Sequence, residues 1–281
     1  MNKREDIIKK IDEIPSIPPS ITKVQKMLMD PDVDFDKLAD YIKYDQGLTA
    51  DVLKMANSTY FGFSREISSL KQAIVRLGLN RIFELTMTSA VVPIINKKIM
   101  GYDLSKGDLW KHSIGVAISA EKIAKFLDMR VPPFTFTAGL LIDIGKVVMS
   151  TFLELDSEPV MDLAFKKEIP FNIAERRTFG ISHEEAGALL LEKWNLPEEL
   201  VQIVRWHHQP NRKEGDRRVV DLVHIADILI METGIGGGND GLNYKSCKDS
   251  VERLDFEKAN EEELIMNIIS DIQEVSNKMV A

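Results

Sequence analysis

Apolar residues recur along this chain at intervals of three and four, and no segment sustains the two-residue alternation of a half-buried strand. That pattern restricts the chain to an all-α fold. Residues 3–13 form a first amphipathic segment, stopped by Ile14-Pro15-Ser16-Ile17-Pro18-Pro19. Further helices are expected up to Met29, from Phe35 to Tyr44 with Asp34 as cap, and from Thr49 to Asn57. Leu70 to Leu77 reads as a short helix, and Gly78 precedes a long apolar one from Arg81 to Ile95. The segment from Gly101 to Gly107 is the best internal boundary. The expected organisation is therefore an N-terminal helical bundle at 1–102 packed on a second helical lobe at 103–281.

In the second lobe, Ser105-Lys106-Gly107-Asp108 resembles a capping box, and Ser182-His183-Glu184-Glu185 is a full one. Pro132-Pro133 opens a helix expected to carry Asp143, Pro197 opens another, and Asn260 caps a last one. The loop from Gly234 to Gly241 lacks the Gly-Lys-Ser/Thr of a phosphate-binding loop and reads as a flexible surface connection.

The stretch Ala138-Gly139-Leu140-Leu141-Ile142-Asp143-Ile144-Gly145-Lys146 is apolar except for one carboxylate and one ammonium. Asp143 falls where the stripe calls for leucine. A carboxylate there has to be paired, hydrogen-bonded or bound to a metal, because an isolated buried charge is very costly. Other polar residues fall on apolar stripes too: His112, His183, His207, His208, His224 and Asp227, a set that takes in all 5 histidines of the chain. Imidazole with carboxylate suits iron, manganese, zinc or nickel. His224, one turn from Asp227, reads instead as a residue that holds that carboxylate by a hydrogen bond.

The net charge of -8 disfavours broad binding to nucleic acid or to anionic membrane. Arg212, Lys213, Arg217 and Arg218 make a small basic cluster that Glu214 and Asp216 dilute, the pattern of a solvated loop. The lone cysteine, Cys247, permits no internal disulfide, and no run approaches the length of a membrane span. A cytoplasmic protein is the expectation. Tyr60, Phe61 and Phe63 beside a turn are either interface anchors or a seal between the lobes.

The order His112, Asp143-Ile144-Gly145-Lys146, His183, His207-His208, Asp227 is similar to the HD superfamily of metal-dependent phosphohydrolases. The N-terminal half sharpens this. Ile14-Pro15-Ser16-Ile17-Pro18-Pro19, Leu53-Lys54-Met55-Ala56-Asn57-Ser58-Thr59-Tyr60 and Ser69-Leu70-Lys71-Gln72-Ala73-Ile74 resemble the HDOD (HD-related output) family, as do Leu109-Trp110-Lys111-His112-Ser113 and Trp206-His207-His208. The resemblance implies one metal site at His112, Asp143 and Asp227 and another at Asp143, His183, His207 and His208, with Asp143 shared. Where the superfamily has histidine before the central aspartate, this chain has Ile142, so the first site lacks a donor.

Lys146 matches a lysine that contacts substrate phosphate in related enzymes. Its plain alternative is to neutralise Asp143. The absence of Gly-Tyr-Pro after His207-His208 speaks against the cyclic-di-GMP phosphodiesterase branch. The resemblance thus implies a non-catalytic signalling module that acts on a protein partner or a small phosphorylated ligand and holds one divalent metal. A phosphohydrolase acting on a nucleotide or other phosphoester is the alternative.

Overall fold

A computed structural model describes residues 3–28, 30, 32–63, 65–132, 134–156, 158–241, 243–256 and 261–280. Pro133 and Asn260, which the sequence reads as opening one helix and capping another, lie outside the described residues. The protein is all-α. Its helices are α1 (Lys3–Ile11), α2 (Pro19–Leu28), α3 (Phe35–Lys43), α4 (Gln46–Ala56), α5 (Leu70–Ile95), α6 (Asp108–Phe126), α7 (Thr135–Leu141), α8 (Gly145–Asp156), α9 (Glu158–Lys167), α10 (Phe171–Phe179), α11 (His183–Lys193), α12 (Glu198–Trp206), α13 (Arg218–Thr233), α14 (Lys248–Leu254) and α15 (Glu261–Val280). Among the described residues the only β pairing is an isolated bridge between Ile99 and Leu104. No helix among them is long and apolar enough to cross a membrane.

The chain divides into two compact units. One comprises Met1–Ser16 with Ile95–Ile268, and the other Ile17–Ile94 with Ile269–Ala281. These limits differ from the expected 1–102 and 103–281, and the physical reasons are local. Helix α1 buries Ile7 and Ile11 and packs on α8 and α11. Its C-terminal carbonyls, those of Ile11, Asp12 and Ile14, accept from Lys193 Nζ at 2.8, 2.9 and 3.1 Å. A lysine thus satisfies groups that a helix end leaves unpaired. Arg4 adds a 2.6 Å pair to Glu185, and Trp194 Nε1 donates to the Pro15 carbonyl at 3.1 Å. The segment from Gly101 to Gly107 is interior to this unit, because Tyr102 there is fully buried.

In the smaller unit Asp34 caps α3 as expected, accepting from the amides of Asp36 and Lys37. Helix α5 breaks at Gly78, where the sequence places the boundary between a short helix and a long one. The Asn57 side chain clamps the loop that follows α4. It donates to the Ile67 carbonyl at 2.9 Å and accepts from the Ile67 amide at 2.7 Å. Tyr60 and Phe61 meet edge to face at 5.0 Å, both half-buried, and Phe63 is 37% exposed.

In the larger unit α6 is buried on nearly every face and packs on α7 and α13. Two cap expectations need correction. Asp108 does reach back to the Ser105 amide at 2.8 Å, but the helix starts at Asp108 with Gly107 as its cap. Ser182 makes no cap hydrogen bond to α11. Its hydroxyl accepts from Arg176 at 2.9 Å, while the His183 amide donates to Glu175 at 2.9 Å. The preceding helix therefore does the capping.

Candidate metal centre

Asp143 does not lie within a helix, contrary to the periodicity. It occupies the turn between α7 and α8, where the Lys146 amide donates to the Asp143 carbonyl at 2.9 Å. The break has a cause in packing. A Cβ on Gly145 would lie 1.9 Å from the His183 carbonyl oxygen and 2.5 Å from the Gly187 amide nitrogen. Helices α8 and α11 therefore meet backbone to backbone at this point, which brings Asp143 beside the start of α11.

The elements converge. His112 projects from α6, His183 opens α11, His207 ends α12 with His208 after it, and Asp227 lies on α13. Asp143 divides its two oxygens between two groups. Oδ1 faces His183 Nε2 at 3.6 Å and His207 Nε2 at 3.9 Å. Oδ2 faces His112 Nε2 at 3.3 Å and Lys146 Nζ at 2.8 Å. His112 Nε2 is also 2.9 Å from Asp227 Oδ1. His208 links the sides, with Nε2 3.2 Å from His183 Nε2 and Nδ1 3.6 Å from Asp227 Oδ2. The side chains of all these residues are at most 9% exposed.

Buried polar atoms are left without a partner on both sides. Asp143 Oδ1, His207 Nε2, His208 Nδ1 and Asp227 Oδ2 are buried without a hydrogen-bond partner. His207 donates its Nδ1–H to the Val204 carbonyl at 2.7 Å, which leaves the Nε2 lone pair pointing toward Asp143. One ligand atom each from Asp143, His183, His207 and His208 all lie within 4.8 Å of one another. Two donors on opposite sides of one transition metal stand about 4.2 Å apart, so this set fits an ion with small adjustments. His112, Asp143 and Asp227 form a second group of the same spread.

Outer contacts orient these donors. Glu175, fully buried, accepts from His183 Nδ1 at 2.8 Å and also accepts from the Tyr102 hydroxyl. The sequence carried a signal for Glu175, which stands four residues from both Phe171 and Phe179 on the apolar face of α10. His224 does not hold Asp227. Its Nδ1–H donates to the His207 carbonyl at 2.7 Å, and its Nε2 accepts from the Cys247 amide at 2.9 Å. Both ring nitrogens are used, so His224 positions His207 and ligates nothing.

Burial alone would raise the Asp143 pKa, but the Lys146 ammonium, then His112, His183 and His207, hold it below the usual carboxylate range. Burial opposes the charge on Lys146 and is outweighed by Asp143 and Asp240, which raise its pKa. Burial also works against protonated His183, yet Glu175 lifts it to about 9. Burial pushes His207 down and His208 well down.

The loop after α13 is no loose connection. A Cβ on Gly236, whose φ is +63°, would meet the Asp108 carbonyl oxygen at 2.3 Å and the His112 amide at 2.8 Å. Glycine alone permits that approach. The Asn239 amide donates to the Tyr102 carbonyl at 3.0 Å, Asp240 Oδ2 reaches Lys146 Nζ at 2.5 Å, and Tyr244 stacks on His208 with ring centroids 4.2 Å apart. A cleft of about 420 Å³ lies outside it, and of the cluster only His208 lines that cleft. The basic cluster is satisfied locally, with Lys213 bonded to the carbonyls of Glu214 and Asp216, and Arg218 paired to Asp216.

A helical unit with histidines and aspartates from separate helices gathered on one central aspartate defines an HD-type protein. The HDOD domain model matches residues 14–210, and the chain belongs to the HDOD family. An HDOD domain protein of unknown function from Geobacter sulfurreducens is 29% identical, with a TM-score of 0.74 over 98% of this chain and 97% of that one. A candidate phosphohydrolase from Shewanella amazonensis shares the fold at 23% identity, with a TM-score of 0.73 over 97% of each chain. A candidate signal transduction protein from Marinobacter aquaeolei does so at 22% identity and TM-score 0.73, over 96% of this chain and 60% of that one. A protein of Treponema pallidum is 26% identical over 226 residues, 80% of this chain but 43% of its own length. This chain therefore spans less than half of that relative.

Proposed function

We propose that this chain is a regulatory HDOD module that binds a protein partner in signalling, and that its cluster holds one divalent transition metal as an internal organising group. The metal would be held by Asp143, His183, His207 and His208, and it would supply Lewis acidity and fixed charge. Glu175 and His224 orient two of those imidazoles, as outer partners of metal ligands do. The observation that carries the non-catalytic reading is closure. The donor side chains are at most 5% exposed, Tyr244 lies over His208, and Lys146, the cation beside Asp143, is engaged by two carboxylates and not turned toward a substrate phosphate. Ile142 adds to this, since a hydrocarbon beside Asp143 removes a donor that a two-metal hydrolase would use.

The test is metal analysis of protein purified without chelator, beside an assay on a generic phosphodiester. About one metal per chain with no turnover above background is the expected result. Rapid hydrolysis would replace this reading with the phosphohydrolase one, which the Shewanella relative's name favours.

A further inference from the structure

We propose that an exposed strip around Arg76, on the smaller unit, docks a partner protein through an acidic segment that also carries apolar side chains. This rests on the reading of the chain as a partner-binding module, and it names where the partner sits and what it must offer. The strip is defined by contacts within that unit. On the first part of α5, Lys71 and Val75 stand one turn apart on the same face. Lys71 pairs with Asp36 at 2.6 Å, beside Phe35, which is 45% exposed at the start of α3. Val75 is 67% exposed. Arg76 follows it, donates to the Arg65 carbonyl at 3.1 Å, and sets its guanidinium 5.9 Å from the centre of the Phe63 ring.

Phe35, Phe63 and Val75 thus lie in water among cations. Single exposed apolar residues are ordinary, but apolar and aromatic side chains threaded with arginine have the composition of an interface centre. The strip is also held still. The Asn57 side chain bonds both backbone polar groups of Ile67, and Gln72 accepts from the Ser68 amide at 3.2 Å and hydroxyl at 3.3 Å. The loop that carries Phe63 and Arg65 is therefore pinned where it meets α5. A surface ordered in advance loses less entropy on binding.

Charge selects the partner. From Leu53 to Arg81 the basic residues are Lys54, Arg65, Lys71, Arg76 and Arg81, against Glu66 alone, in a chain whose net charge is -8. Among the described residues neither Arg65 nor Arg76 is paired to a carboxylate. Arg76 keeps a planar fork for one. A carboxylate seated there, beside Phe63 and Val75, is partly shielded from water, which strengthens the pair. A polypeptide suits this strip better than a polyphosphate does. Asp36 and Glu66 are exposed along it and repel an evenly charged strand. A peptide can instead place its carboxylates at the arginines and its apolar side chains at Phe63 and Val75.

The experiment selects a display library of random peptides on the full chain, then measures synthetic copies of the selected peptides by fluorescence anisotropy. Single-stranded DNA and phosphatidylglycerol vesicles are the parallel probes, and sedimentation of the chain alone reads self-association. The selected peptides are expected to combine Asp or Glu with Leu, Phe or Trp. Arg76→Glu should weaken them about tenfold or more, and added salt should weaken them too. Arg65→Glu and Phe63→Ser should each weaken them as well. Lys106→Glu, the same reversal at an exposed lysine of the larger unit, should leave them unchanged. Val75→Glu is the second variant should Arg76→Glu fail to fold.

Selected peptides without acidic residues overturn the proposal, as do acidic peptides that bind a folded Arg76→Glu or Val75→Glu chain undiminished. In both cases the partner reading stands and its surface lies elsewhere. Tighter binding of the DNA or of the vesicles than of any peptide, lost in Arg76→Glu, assigns the strip to nucleic acid or membrane and overturns it. Self-association lost in Arg76→Glu assigns the strip to a second copy of the chain, with the same consequence. If no peptide is selected at all, the partner reading itself falls, and this inference with it.

Discussion

His224 Nδ1 donates to the main-chain carbonyl of His207 across 2.7 Å, so one buried histidine fixes the backbone that presents another. Replacement of His224 by Phe keeps the volume near that of the ring and removes both hydrogen bonds. Metal affinity is expected to fall about tenfold to a hundredfold, the usual cost of losing an outer partner of a ligand. Competition with a chromophoric chelator measures it. An unchanged affinity in a folded variant removes His224 from the site.

Asp143→Ala should lose all bound metal and also destabilise the metal-free protein. Lys146 would keep Asp240 but lose its nearest cluster carboxylate, and breaking one partner of a buried pair costs about 3–5 kcal/mol. Denaturant unfolding with and without chelator separates the two effects.

Gly145→Ala is expected to cost about 3 kcal/mol or more, because the added methyl would meet the His183 carbonyl oxygen at 1.9 Å. Backbone cannot rotate aside as a side chain can. A thermal midpoint within a degree or two of the unaltered chain would show that α8 and α11 do not meet as closely as described.

Metal removal should lower the thermal midpoint. At a free metal concentration a thousandfold above the dissociation constant, binding to the folded state alone contributes about 4 kcal/mol. A scan with excess chelator, and a second after manganese is restored, should differ accordingly. Identical scans would show that the cluster contributes no metal-linked stability.

The metal-free chain should be most stable near neutral pH. Burial holds His207, His208 and His224 below their ordinary 6.5, so they stay neutral when folded and take up protons on unfolding. Their contribution is present above pH 6.5 and is lost as pH falls below it. His183 runs the other way. Its pKa is raised to about 9, so its contribution is full below 6.5 and fades as pH rises through 9. Chemical denaturation across pH 5 to 10 should trace a maximum between these limits, and a monotonic rise to pH 10 would contradict the His183 assignment.

The sequence by itself determined the fold class and most of the cluster, because both are written in helical periodicity. His112 and Asp227 are polar residues inside otherwise apolar stripes, and burial of those stripes carries them inward whatever the topology. Asn57 was legible as part of a motif, though only the structure gave it the task of clamping Ile67. The unit to which α1 belongs was not legible. It depends on Lys193, some 180 positions along the chain, reaching the carbonyls of Ile11, Asp12 and Ile14.

Nor could the sequence choose between Lys146 as a phosphate contact and Lys146 as a counter-ion. That choice depends on Asp240, which lies in a loop with no period to reveal its partner. Periodicity reports which side of a segment avoids water. It carries no information about which distant backbone will close against that segment, and it is that closure, through Gly145 against α11 and Gly236 against α6, that decided where the charges of this site meet.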